Sequence, residues 1–265
     1  MNNLPVSLIL PELKQTFAEQ HSLVLQAPPG AGKTTLVPLA LLECDWLAGQ
    51  KIIMLEPRRL AARAAAERLA ELLGEPVGQT VGYRIRLDSK VSAATRIEVV
   101  TEGILQRLLQ DDPELPGVGV VIFDEFHERS LDADLGLALC VQTQQYLRDD
   151  PPLRLLVMSA TLDAEGVSRL LDDAPIITSQ GRQYPVDIRY GAPATLGRPN
   201  DAEVVQTVLR ALDEESGSVL VFLPGMAEIC RVLARLEEAL GEQQNVLLTP
   251  LYGDLNLAAQ RRAIE

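Results

Sequence analysis

The sequence predicts an α/β protein: a parallel sheet covered by helices on both faces, followed by part of a second unit of the same kind. Three observations lead there. Short apolar runs rich in Val, Ile and Leu alternate with longer stretches of helical periodicity. The runs are apolar at nearly every position, as suits strands buried on both faces rather than one. One run passes through a glycine-rich turn directly into a helical stretch, the junction that parallel βα units require.

The elements follow in order. Ser22–Gln26 (SLVLQ) reads as the first buried strand, then Lys51–Leu55 (KIIML), Arg96–Val100 (RIEVV), Val118–Phe123 (VGVVIF) and Leu153–Met158 (LRLLVM). Leu60–Leu73 (LAARAAAERLAELL) is the clearest helix, with Arg63 and Glu67 one turn apart and Gly74 as its stop. Leu131–Leu147 is a second long helix. The Pro- and Gly-rich stretch 172–200 reads as an interdomain connection with short strands such as Val186–Tyr190. A second series follows: helix Ala202–Leu212, strand Ser218–Leu223, helix Met226–Leu240 and strand Asn245–Pro250. Two or three units are thin for an independent α/β domain. The expected division is a first domain over 1–180, then a connector and incomplete second domain over 181–265, within a longer protein.

Composition narrows the class. With 47% hydrophobic and 23% charged residues the chain is globular rather than disordered. No window has the ~18 consecutive apolar residues of a membrane span. Pro5 and Pro11 and the lack of a basic start argue against a secretory signal. Cys44, Cys140 and Cys230 are scattered and odd in number, which points to reduced thiols and a cytoplasmic protein. Only His21 and His127 are present, so a His-built zinc site is not expected. The net charge of −13 excludes a simple basic nucleic-acid module; any grip on nucleic acid is local.

Two motifs carry chemistry. After SLVLQ comes APPGAGKTT, which fits the phosphate-loop pattern GxxxxGK[ST] except that Ala27 replaces the first glycine. Gly30 and Gly32 let successive N–H groups face phosphate oxygens at a helix N-terminus. Lys33 suits the β- and γ-phosphates, and Thr34 a Mg²⁺ ion. A plain Gly-rich turn with an exposed lysine is the alternative. Downstream, VGVVIFDEFHERS sets Asp124 and Glu125 at the carboxyl end of a buried strand, where α/β sheets bind ligands. Adjacent acids there need a cation or a wet site. Asp124 suits the metal and Glu125 the attacking water, against an alternative of two acids merely favoured by a helix dipole.

These residues together resemble the DEAH-box helicases of superfamily 2. AxxxxGKT (27–34) resembles motif I, EPRR (56–59) motif Ia, TEG (101–103) motif Ib, SAT (159–161) motif III and VFLPG (221–225) motif IV. DEFH (124–127) is similar to the DEAH signature, with Phe126 where Ala is usual, and continues as HERS (127–130). GRQYPV (181–186) resembles the interdomain connector and LYGDL (251–255) a later second-domain element. The wording of APPGAGKTT, EPRRLAARAAAERLA and DEFHERS is most similar to a bacterial branch of the family.

The resemblance implies a RecA-like P-loop NTPase domain followed by part of a second, and an ATP-dependent helicase. It implies that Pro29, Gly30, Ala31, Gly32, Lys33, Thr34 and Thr35 cradle ATP and Mg²⁺, with Thr34 and Asp124 on the metal. Lys33, Asp124, Glu125 and His127 become the catalytic set, His127 coupling it to the second domain. Ser159, Ala160 and Thr161 couple hydrolysis to strand movement. Pro57, Arg58, Arg59, Thr101, Glu102 and Gly103 contact the RNA backbone. Arg68 matches the family's adenine-stacking arginine, although Ile264 stands where its aromatic partner is expected. Local alternatives stay open: helix capping by Ser159 and Thr161, a locally bonded His127, solvated charges at Arg58 and Arg59, and an Arg68–Glu71 ion pair. The family's motifs V and VI are expected beyond residue 265, so residues 1–265 alone should hydrolyse ATP slowly or not at all. The implied partner is single-stranded or structured RNA, with DNA possible and no membrane. The alternatives are a DNA helicase, or an ATP switch that remodels a protein partner without unwinding.

Overall fold

The computed structural model describes residues 4–148, 150–160, 164–181, 185–191, 200–241 and 245–264, without the side chains of Leu257, Arg261 and Ile264. It forms two compact units, Met1–Pro185 and Val186–Glu265.

The first unit runs α1 (Leu10–Glu19), β1 (Ser22–Gln26), α2 (Lys33–Leu42), β2 (Lys51–Leu55), α3 (Arg59–Leu73), β3 (Val81–Ile85), β4 (Asp88–Lys90), β5 (Ile97–Val100), α4 (Glu102–Asp111), β6 (Val118–Phe123), α5 (Leu131–Gln142), β7 (Arg154–Ser159), α6 (Ala164–Leu170) and β8 (Ile176–Thr178). The strands make one sheet in the order β4-β3-β5-β2-β6-β7-β1-β8. All neighbours are parallel except β3 and β4, a hairpin that closes one edge.

The central strands are mostly apolar because both faces are covered. On one side, Leu23, Leu25, Ile52, Met54, Val120 and Ile122 pack with Leu13 and Phe17 of α1, Val37 and Leu41 of α2, and Ala62 and Leu69 of α3. On the other, Val24, Ile53, Leu55, Val121 and Phe123 pack with Leu105 and Leu109 of α4, Leu137 and Cys140 of α5 and Val167 of α6. Alternation along each strand thus feeds two cores, and each large side chain fully buried contributes about 1.5–3 kcal/mol. Helix α3 shows the sequence logic directly. Its buried residues Ala62, Ala65, Ala66, Leu69 and Ala70 form one stripe, and Gly74 ends it at φ +73°, donating to the carbonyls of Ala70 and Glu71.

All five strands expected before residue 160 are present. Two shift by one residue: Arg96–Val100 becomes Ile97–Val100, and Leu153–Met158 becomes Arg154–Ser159. The helix expected over Leu131–Leu147 ends at Gln142 and continues as one π turn, Thr143–Leu147. The connector needs correction. Val186–Tyr190 is not a strand, and Val186, Ile188 and Tyr190 are exposed. The strand in that stretch is Ile176–Thr178, which pairs with β1 and belongs to the first sheet.

In the second unit, α7 (Asp201–Glu214), α8 (Met226–Leu240) and α9 (Leu257–Ile264) form; the first two match the expected helices. Val205 and Val208 of α7 pack with Val232 and Leu236 of α8. The strands expected at Ser218–Leu223 and Asn245–Pro250 are absent among the described residues. Leu220, Phe222 and Leu247 are exposed. An apolar run supplies a strand's face, but a strand also needs a registered neighbour for its N–H and C=O groups. Among the described residues no helix is long and apolar enough to cross a membrane.

Candidate active site

The phosphate loop leaves β1 at Ala27, whose N–H donates to the Ser159 carbonyl at the end of β7 (2.9 Å). Gly30 and Gly32 take φ of +74° and +92°, the left-handed region that favours glycine. A Cβ at Gly32 would also stand 2.8 Å from Leu4 Cδ1. The segment before α1 packs beneath the loop: the Val6 N–H donates to the Ala31 carbonyl (3.1 Å). Pro29 and Gly30 are exposed at the crest, Ala31 is buried, and Thr35 Oγ1 donates to the Gly32 carbonyl (3.3 Å). Helix α2 begins at Lys33, so its first N–H groups and its dipole face the loop.

The acids meet this loop across the sheet. Lys33 is buried, and its Nζ donates to Glu125 Oε1 at 2.8 Å. Thr34 Oγ1 donates to Asp124 Oδ2 at 2.5 Å. Asp124 is buried at the end of β6, with its N–H on the Leu55 carbonyl (3.0 Å) and its Oδ1 accepting from the Glu125 N–H (2.8 Å). Glu125 holds φ +48°, uncommon for a residue other than glycine. His127 Nδ1 lies 3.2 Å from Glu125 Oε2 but lacks hydrogen-bond geometry and has no hydrogen-bond partner.

One site residue escaped the sequence reading. Glu56, the acid that opens EPRR, is buried at the end of β2 beside Asp124. Burial first, and then the neighbouring Asp124 carboxylate, push the Glu56 carboxyl up to about 9. Burial raises Asp124 as well, against the Thr34 hydrogen bond and the Lys33 charge that favour its carboxylate. At neutral pH the Glu56–Asp124 pair therefore keeps a proton. The available signal was position: like Asp124, Glu56 directly follows a buried, mostly apolar strand at the ligand-binding rim.

Strands β5, β2 and β6 are neighbours, so TEG, EPRR and DEFH emerge side by side. Pro57 is half-buried; Arg58 and Arg59 are exposed at the start of α3. Arg58 Nη2 contacts Glu128 Oε2 at 3.1 Å. Thr101 precedes α4, its carbonyl accepting from the N–H groups of Ile104 and Leu105. Glu102 accepts from Ser130 Oγ (2.6 Å), and Gly103 faces open space. Ser159 is buried in register with Gln26 of β1, Ala160 follows it, and Thr161 lies outside the described residues. Arg68 is exposed and contacts Glu71 Oε2 at 2.5 Å, realising the ion-pair alternative.

The oxygen donors Thr34 Oγ1 and Asp124 Oδ2 suit a hard cation such as Mg²⁺, which takes one or two protein oxygens beside substrate phosphates. Among the described residues no cluster of three or more His, Cys, Asp or Glu could hold a metal by itself.

This convergence of a phosphate loop and strand-end acids is that of a P-loop NTPase, and the chain belongs to the DEAD/DEAH box helicase family, which matches residues 9–170. It is 54% identical over 264 residues to the ATP-dependent RNA helicase HrpB of Escherichia coli, covering 100% of this chain and 32% of that protein. It is 37% identical over 267 residues to the pre-mRNA-splicing factor ATP-dependent RNA helicase prp22 of Schizosaccharomyces pombe, covering 99% and 22%. The crystal structure of the E. coli DEAH/RHA helicase HrpB superposes with a TM-score of 0.89 at 53% identity, over 99% of this chain and 33% of that one. The chain thus spans about a third or less of these relatives, and the RecA-like helicase fold and the bacterial resemblance both hold.

Proposed function

We propose that this chain forms the nucleotide-binding core of an ATP-dependent RNA helicase, with 1–180 as RecA-like domain 1 and 181–265 as the connector and part of RecA-like domain 2. The observation that carries the reading is the double link of Lys33 to Glu125 and Thr34 to Asp124, between a phosphate loop and a strand end some ninety residues away. The relatives named as RNA helicases support it.

The chemistry follows from the geometry. The loop N–H groups and the α2 dipole bind the phosphates. Lys33 now pairs with Glu125; a γ-phosphate takes over the ammonium and leaves the Glu125 carboxylate free to orient and deprotonate water. Thr34 and Asp124 would hold Mg²⁺, which neutralises charge developing on the phosphates. Glu56 keeps the Asp124 carboxylate in place. His127 couples the pocket to the second domain, and Ser159–Thr161 couple hydrolysis to strand movement. Pro57–Arg59 and Thr101–Gly103 grip the RNA backbone without reading bases. Unpaired Cys44, Cys140 and Cys230 support a cytoplasmic setting.

The test is ATP hydrolysis by the full-length protein with and without poly-RNA, for the parent, Lys33→Ala and Glu125→Gln. RNA-stimulated hydrolysis falling about 100-fold or more in both variants is expected. A parent without RNA stimulation, or variants that match it, would overturn the reading. Binding of single-stranded DNA but not RNA would assign a DNA helicase. Binding of neither would favour the protein-remodelling switch.

A further inference from the structure

The turn after the two acids joins the phosphate loop's lysine to Arg58. It is a single 3-10 turn, Phe126–Glu128, bracketed by Glu125 at φ +48° and Arg129 at φ +44°, both at positive φ without glycine. At one end Glu125 sits on Lys33. At the other Glu128 Oε2 meets Arg58 Nη2 at 3.1 Å, with the Arg58 side chain 73% and the Glu128 side chain 34% exposed. Phe126, Arg129 and Ser130 anchor the turn. Phe126 is buried edge-on against Phe123, the Arg129 guanidinium lies over the Phe126 ring and contacts Asp134 at 2.9 Å, and Ser130 bonds Glu102 and the Ala133 N–H.

We propose that Glu128 occupies on Arg58 the place of an RNA phosphate, and that RNA signals its arrival to Glu125 by displacing Glu128. The inference rests on the reading of Arg58 as a phosphate ligand. A carboxylate and a phosphate offer a guanidinium the same paired oxygens, so the two compete for one fork. The pair is exposed and therefore weak, which makes it exchangeable. Glu128 is three residues from Glu125 on a turn bracketed by positive φ at both ends. Releasing it removes the tie between that turn and α3, on the side of the turn that holds the water-activating carboxylate. Glu128 is thus a positioning residue: it touches neither nucleotide nor RNA, and it acts through Arg58 and Glu125.

The experiment uses the full-length protein as parent, Glu128→Gln and Glu128→Asp, with single-stranded poly-RNA and a non-hydrolysable ATP analogue. Glu128→Gln removes the competing charge and keeps the shape. It should bind RNA about two- to fivefold tighter without nucleotide, the range an exposed ion pair supports. The factor by which RNA tightens analogue binding should fall toward one, and by linkage so should the effect of analogue on RNA. Glu128→Asp, which keeps the charge, should restore much of the parent coupling. If Glu128→Gln melts at the parent temperature with RNA affinity and coupling unchanged, the inference falls while the helicase reading stands. If RNA binding weakens in Glu128→Gln and persists in Glu128→Asp, Glu128 is a ligand-side group and the inference also falls. A parent that binds no RNA overturns both.

Discussion

The two units solve the same burial problem to different degrees. In the first, β6 is buried along its whole length, between β2 and β7 and under helices on both faces. In the second, the equally apolar run 218–223 has no strand partner among the described residues, and its Leu220 and Phe222 are 74% and 87% exposed. The residues are alike; the neighbours are not. Apolar content therefore does not by itself make a strand. The pairing partner does, and a partner can lie anywhere along the chain.

The largest effect that tests this contrast is on stability. Phe123→Ala empties a fully buried site between β6 and α5 and should cost about 3–5 kcal/mol, whereas Leu236→Ala, in the small α7–α8 core, should cost about 2 kcal/mol. Denaturant titration of the chain, read separately in each unit, checks this. Equal costs would break the comparison.

The next effect is pH dependence, and its sign differs between the units. In the first, the folded pKa of Glu56 is raised from 4.5 to about 9, so the folded state binds more protons than the unfolded one across that window. Its contribution is fully present below the unfolded value and is lost as pH rises through the folded value. In the second, Arg231 lowers Glu228, whose contribution is present above its unfolded value and lost on acidification. In metal-free protein, the melting temperature of the first unit should fall from neutral pH toward pH 9, and Glu56→Gln should flatten that fall. An unchanged slope in Glu56→Gln would show that the pair holds no proton there.

The smallest effect sharpens the contrast between core and surface. Arg68→Ala breaks only the exposed contact with Glu71 and should cost about 0.3–0.5 kcal/mol. If Arg68→Ala instead weakens ATP binding in the full-length protein several-fold at unchanged stability, the adenine-stacking role holds.

What was legible in the sequence was local. Lys33, Thr34, Asp124 and Glu125 announce themselves because each stands at a local junction, the first two where a glycine-rich turn enters a helix and the last two where an apolar strand ends. The five strands before residue 160 were legible for the same reason. β3 and β4 were not: Gly82, Arg84 and the short Asp88–Lys90 break the apolar pattern, and their pairing with β5 and with each other supplies what the pattern lacks. Glu56 was missed because a single acid at a strand end means little until Asp124 is brought beside it. The Arg58–Glu128 contact was not legible because neither local motif names its partner seventy residues away. Conversely, 218–223 and 245–250 carry a strand's composition without a strand's ladder.

The placement of β5, β2 and β6 as consecutive strands has a mechanical consequence. Neighbouring strands lie roughly 4.8 Å apart, so the strand end before Thr101 and the one before Asp124 are separated by only about 10 Å of rigid, hydrogen-bonded sheet. A frame so short and stiff offers no lever arm. On the proposed helicase reading, communication between a grip on nucleic acid at Thr101 and the pocket at Asp124 would pass from one turn to the next, in displacements no larger than a side chain can make.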